Sequence, residues 1–131
     1  MDTLRITRDD LDAYGVYTKA EFIDYAGHVE VAADLGTVQI RGSLRATGRI
    51  RCLAGSGISA GLGIEAGEGI EAGEGIEAGL SIVAKFLSIQ LRIFAGLVSW
   101  RLPEPSECEV RAEIRSGTLA HGTHVAPTVK S

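Results

Sequence analysis

The chain has 131 residues, with 13 basic against 17 acidic side chains, 45% hydrophobic residues and 5% aromatics. That is enough for one domain with a core and too little for two. The net charge of −4 argues against a general nucleic-acid binder, whose affinity rests on neutralising phosphates. Nine of the 17 glycines fall between Gly55 and Gly79, an enrichment that marks a repeat.

Residues 1–28 read as a small α/β cap. The start, Met1-Asp2-Thr3-Leu4-Arg5, has no basic flank followed by an apolar stretch, so no signal peptide is visible and a cytoplasmic location is expected. Thr7-Arg8-Asp9-Asp10 predicts a short helix carrying Leu11 and Tyr14. Thr18-Lys19-Ala20-Glu21 has capping-box spacing before Phe22-Ile23. Tyr14, Tyr17 and Tyr25 serve here either as the cap's apolar filling or as anchors for a partner.

Residues 29–102 carry the repeat. Ile58-Ser59-Ala60-Gly61 is followed by Ile64-Glu65-Ala66-Gly67, Ile70-Glu71-Ala72-Gly73, Ile76-Glu77-Ala78-Gly79 and Ile82-Val83-Ala84, a period of six met five times. Residues two apart on a strand face one side, so each Ile and Ala points inward and the residue between points out. Glycine triplets such as Gly61-Leu62-Gly63 turn the chain. A helix is excluded, because each interior glycine would cost roughly 1 kcal/mol relative to alanine. A three-residue strand cannot bury its face alone. Coiling three hexapeptides per turn solves this, and the predicted fold is all-β: a triangular β-helix, or solenoid, of about four to five coils.

The period extends upstream through Val38-Gln39-Ile40, Leu44-Arg45-Ala46 and Ile50-Arg51-Cys52, with a two-residue excess near Leu53-Ala54. Downstream it resumes at Leu87-Ser88-Ile89 and Ile93-Phe94-Ala95, after one residue is lost near Lys85-Phe86. The aligned inward columns are Val38/Ile58/Ile76/Ile93, Leu44/Ile64/Ile82 and Ile50/Ile70/Leu87, aliphatic throughout. The stretch Ile82 to Trp100 is interrupted by Lys85, Gln90 and Arg92 and cannot cross a bilayer as a helix. Residues 103–131 form a capping segment: Pro103 and Pro105 break the ladder. The alternation of Cys108, Val110, Ala112 and Ile114 then predicts a last strand, finished by Leu119 and Val125.

The hexads Gly57-Ile58-Ser59-Ala60 and Gly69-Ile70-Glu71-Ala72 resemble the triangular β-helix of bactofilins, bacterial polymer-forming scaffold proteins, over roughly Val29 to Trp100. The resemblance implies a non-enzymatic scaffold of polymer-forming type. Hexapeptide acyltransferases place a small residue four positions after the aliphatic one, where this chain has Glu68 or Glu74.

Two surfaces stand out. Glu65, Glu68, Glu71, Glu74 and Glu77 form an acidic belt in a segment of charge −5, between arginine-bearing neighbours. It reads either as solvated charge that fixes coil register, with Arg45 over Glu65 and Arg51 over Glu71, or as a surface for a basic protein or nucleoprotein. The second is an apolar vertex of Leu62, Leu80, Val83, Phe94 and Leu97, expected to be exposed. It is either an interface or a face covered by a terminal segment.

Catalytic chemistry finds no constellation. His121 and His124 lack a third ligand and read as loop histidines. Cys52 occupies an inward small position, and the two cysteines form no metal motif or disulfide framework. No glycine cluster is a phosphate loop, since no helix or lysine follows. The glutamates lie in equivalent sites, with nothing to separate their acidities. No cofactor, metal or direct nucleic-acid contact is expected. The leading function is a structural or protein-binding solenoid that oligomerises, as a dimer or end to end, or docks through the apolar vertex and the acidic belt. The alternative is a small phage-encoded inhibitor of anti-CRISPR type, presenting charge to a basic nucleic-acid-binding complex.

Overall fold

The computed structural model describes residues 2–96 and 108–125. Its regular structure is strand: β1 (Asp2–Ile6), β2 (Ile23–Tyr25), β3 (Gly27–Val31), β4 (Gly36–Ile40), β5 (Leu44–Ala46), β6 (Ile50–Cys52), β7 (Ser56–Ala60), β8 (Ile64–Ala66), β9 (Gly69–Ala72), β10 (Ile76–Ala78), β11 (Ile82–Phe94), β12 (Glu109–His121) and β13 (Thr123–Val125). The chain is all-β. The strands join one parallel sheet made of three stacks. The first holds β1, β3, β6 and β9. The second holds β2, β5 and β8. The third holds β4, β7 and β10. Consecutive strands therefore lie in different stacks, and each pairs with strands met about one circuit earlier and later.

β11 runs across all three stacks. Ile82 and Val83 pair with β8, Phe86 to Ile89 with β9, and Ile93 and Phe94 with β10. The one-residue loss near Lys85 is thus a bend inside a continuous strand, with no glycine turn. At the two-residue excess the opposite happens. Leu53 to Ser56 closes a turn (Ser56 N–H to Leu53 O, 3.0 Å) with Gly55 at φ 80°. The buried Ser56 hydroxyl donates to Ala32 O at 2.5 Å and accepts from Leu35 N–H at 3.1 Å, so the extra residues leave no polar orphan there.

The inward columns meet as read from the repeat. Val38, Ile58, Ile76 and Ile93 are successive register partners, as are Leu44, Ile64 and Ile82, and Ile50, Ile70 and Leu87. All ten are fully buried and belong to one core cluster shared by the three stacks. Fully burying an isoleucine is worth about 1.5–3 kcal/mol. The small column beside them (Ala46, Ala60, Ala66, Ala72, Ala78) lets the stacks approach each other.

Both ends differ from expectation. The α/β cap is not helical: Arg8–Asp10 is one 3-10 turn, closed by Thr7 N–H on the Asp10 carboxylate at 2.9 Å. Thr18–Glu21 leads directly into β2. Sheet pairing outweighs the local capping signal there, because Ile23 and Tyr25 stack on Leu44 and Ala46. Residues 15–17 also join the ladder, Tyr17 N–H donating to Gln39 O at 2.8 Å and Gln39 N–H to Gly15 O at 2.9 Å. The C-terminal segment is not a single closing strand. β12 repeats the path of β11, with Val110 beside Ile82, Ile114 beside Leu87 and Leu119 beside Ile93, and β13 begins another rung on β12. Described strands on both sides of residues 28 and 102 therefore share the ladder. Pro103 and Pro105 lie outside the described residues.

Backbone rungs press together at the turns. A Cβ at Gly67 would run into the carbonyl oxygen of Thr47 and lie 2.9 Å from its carbonyl carbon. Gly67→Ala should therefore lower stability by about 1–3 kcal/mol although the position is exposed, and Ile70→Ala by about 2–5 kcal/mol. Urea unfolding midpoints of both variants against wild type measure this.

Candidate interaction surfaces

The apolar vertex is built by a vertical file at one turn. Gly42 N–H donates to Glu21 O, Leu62 N–H to Gly42 O (3.1 Å), Leu80 N–H to Leu62 O (3.2 Å) and Gly96 N–H to Leu80 O (3.0 Å). Leu62 and Leu80 are thus adjacent, as residues eighteen apart should be in such a ladder. Val83 flanks the file on the second stack, between Glu65 and Arg111, and Phe94 flanks it on the third, between Glu77 and His121. Leu97 lies outside the described residues. The expectation of an exposed patch needs correction. Leu62, Leu80, Val83 and Phe94 are all half-buried, because rungs above and below shelter each one.

The exposed member of the file is one the sequence reading assigned to a cap. Phe22 is 56% exposed and lies over Gly42, where a Cβ would come within 2.5 Å of its ring. The available signal was Gly42 itself, which stands where the next two rungs of the file carry Leu62 and Leu80. The other exposed large apolar residue, Tyr14 at 84%, belongs to the same terminal segment. It is held out on a turn in which the Asp12 carboxylate accepts from Tyr14 N–H at 2.8 Å and Val16 N–H at 3.0 Å. The Val16 and then the Tyr14 hydrogen bond hold the Asp12 carboxyl below its ordinary pKa.

The acidic belt is distributed around the fold. Glu65, Glu71 and Glu77 occupy the middle positions of β8, β9 and β10, one on each stack, while Glu68 and Glu74 lie at the two turns between them. All five are half-buried. Arg45 pairs with Glu65 at 2.7 Å, as the register implies. Glu71 is engaged by Arg49 at 3.4 Å rather than by its register neighbour Arg51, a diagonal contact within reach of a long side chain. These pairs are solvent-accessible and individually worth little. Among the described residues, Glu68, Glu74 and Glu77 make no ion pair.

One aromatic on the first stack has a structural role. The Phe86 ring covers Gly69, which has no room for a side chain, and stands 4.0 Å from the Arg115 guanidinium and 6.0 Å from that of Arg49. Cation–π attraction ties three rungs together at that point.

The remaining candidates for chemistry are occupied. His121 and His124 belong to β12 and β13 rather than to a loop. His121 Nδ1 donates to Ala95 O at 2.5 Å and His124 Nε2 to Ala112 O at 2.6 Å, so both imidazoles bind backbone. Among the described residues no three His, Cys, Asp or Glu side chains gather as metal ligands, and no helix is long and apolar enough to cross a membrane. Cys52 is buried at its inward position. Comparison with known families, curated proteins and solved structures finds no match for this chain.

Burial pushes the Cys52 thiol up to about 12 from 9.0. The folded state therefore favours the neutral thiol, and this contribution to stability is complete below about pH 9 and falls away as pH rises toward 12. Cys52→Ala should flatten the alkaline limb of the stability–pH curve, measured by thermal melts between pH 7 and 11. A limb unchanged by the substitution would contradict the assignment.

Proposed function

We propose that the protein is a non-enzymatic structural module, a triangular β-solenoid of bactofilin-like type, that assembles with copies of itself end to end. Closure of the three stacks into a prism accounts for the shared core and for the return of the chain to each stack in turn. The coils run beyond those carried by the perfect repeats, since residues 2–25 and 109–125 join the ladder.

The observation that carries the assembly reading is the state of the two ends. Among the described residues, β1 pairs only with β3, and β13 only with β12. A parallel ladder with unpaired edges recruits another strand unless something blocks it. The stacks are also in phase for this. β1 lies in the stack that ends with Glu113 to Ser116, and β2 in the stack that ends with β13. A second copy placed head to tail would continue each stack, and such a heterologous contact repeats without closing. The side chains agree with the backbone. Five of the six partly buried hydrophobics packed on the core lie at the ends, Leu4, Leu11 and Tyr25 at one and Ile114 and Leu119 at the other. Exposed Tyr14 and Phe22 belong to the first end.

The inhibitor reading draws less support. Its charge belt is divided among three stacks, and two of its five glutamates are engaged by arginine. A mimic of a phosphate backbone needs its charges on one face.

Light scattering across a concentration series tests the assembly reading. Wild type should gain mass with concentration, and Tyr14→Glu combined with Phe22→Glu should shift that rise at least about tenfold higher, with an unchanged circular dichroism spectrum. A wild type that stays monomeric throughout overturns it.

A further inference from the structure

The third stack carries an open groove of about 580 Å³. Its floor is a consequence of rung packing. At Gly57 a Cβ would run into the carbonyl oxygen of Gly75, and at Gly75 it would lie 2.7 Å from the carbonyl oxygen of Arg92. No side chain fits at either of these two positions, and beside lining residue Gly75 a trough is left between Thr37 on one side and Arg92 and Thr118 on the other. Thr37 pairs with Gly57, and Arg92 with Thr118. At about 4.8 Å per strand, the four steps from Thr37 to Thr118 give a trough roughly 19 Å long, running along the stack.

The walls have a distinctive chemistry. Glu74 and Glu77 supply carboxylate acceptors, Arg92 a forked donor, and Gln90 both kinds of group, while Phe94 adds an apolar wall. Among the described residues neither carboxylate pairs with Arg92, although all three line the same groove. Groups of both signs therefore line one groove without an ion pair to each other among the described residues. The volume lies in the range of small-ligand sites, and the floor is fixed by backbone, so nothing must be cleared before a ligand enters.

We propose that this groove binds a linear, neutral oligosaccharide. Vicinal hydroxyls donate to carboxylates and accept from a guanidinium, so the mixed walls satisfy both halves of each hydroxyl pair with charge-assisted bonds. The apolar face of a sugar ring suits Phe94, and an elongated chain suits a trough much longer than one side chain. An anionic ligand would meet Glu74 and Glu77. A cationic peptide would meet Arg92. The inference does not rest on end-to-end assembly, because Glu74, Glu77, Gln90, Arg92 and Phe94 precede the terminal rung that carries Thr118.

Titration of the full chain with cellotetraose, maltotetraose and xylotetraose, followed by backbone amide NMR shifts and calorimetry, tests the proposal. At least one should bind with millimolar or tighter affinity and shift the amides of Gly57 and Gly75. Phe94→Ala and Glu77→Gln should each weaken that binding at least about tenfold. Asp24→Asn, on the second stack, should leave it unchanged. Glu77→Gln keeps the shape of a half-buried side chain, so its result does not depend on refolding of the core. Failure of all three sugars to bind, shifts confined to another stack, or tighter binding of an oligo-arginine peptide at the same amides would each overturn the proposal.

Discussion

The backbone-to-backbone approach of successive rungs is the constraint on which the structure rests. In a parallel ladder each strand hydrogen-bonds a strand from the circuit before, so the turns between stacks must also lie on one another. At Gly61 and Gly67 a methyl group would run into the carbonyl of Arg41 or Thr47 one rung away. Glycine is required there by proximity, and φ has no part in it: the positive-φ glycines lie elsewhere, at Gly55 and Gly96 among others. Because the turns are this tight, the isoleucine columns fall into register and the alanine columns leave only enough width for them.

This explains which parts of the fold could be read from the sequence. The columns through Ile58, Ile64 and Ile70 were legible because one inward aliphatic per hexad is both a period and a packing requirement. The ends were not. In residues 1–28 the period is broken by the turn at Asp12 and by Phe22, and local signals such as Thr18 to Glu21 suggested a helix that pairing of Ile23 with Leu44 excludes. Near the C-terminus, Cys108, Val110, Ala112 and Ile114 read as one alternating strand finished by Leu119, although Val110, Ile114 and Leu119 belong to three different stacks.

The surfaces were legible only as far as register decides them. Register places Arg45 against Glu65, and they pair. It also places Arg51 against Glu71, yet Arg49 makes that contact. A long guanidinium can choose among several carboxylates within reach, so a sequence specifies the sign of its neighbourhood better than its partner. The belt shows a related effect. Five glutamates at a spacing of three look like one feature along the chain, but a three-residue step at this period moves from strand to turn and on to the next stack. What is contiguous in sequence is dispersed around the fold.

The converse holds for the features that matter most for binding. Thr37, Gly75, Arg92 and Thr118 are far apart in the chain and share one groove, while Phe22, Leu62 and Leu80 share one file. In a ladder of this kind, neighbours along the stack come from different circuits, so any surface longer than one rung must be assembled from residues with no local relationship. The same logic gives the two ends their character. An interior strand has partners on both sides, whereas β1 and β13 each have one among the described residues. The backbone groups left over at these two edges are those a further rung would use.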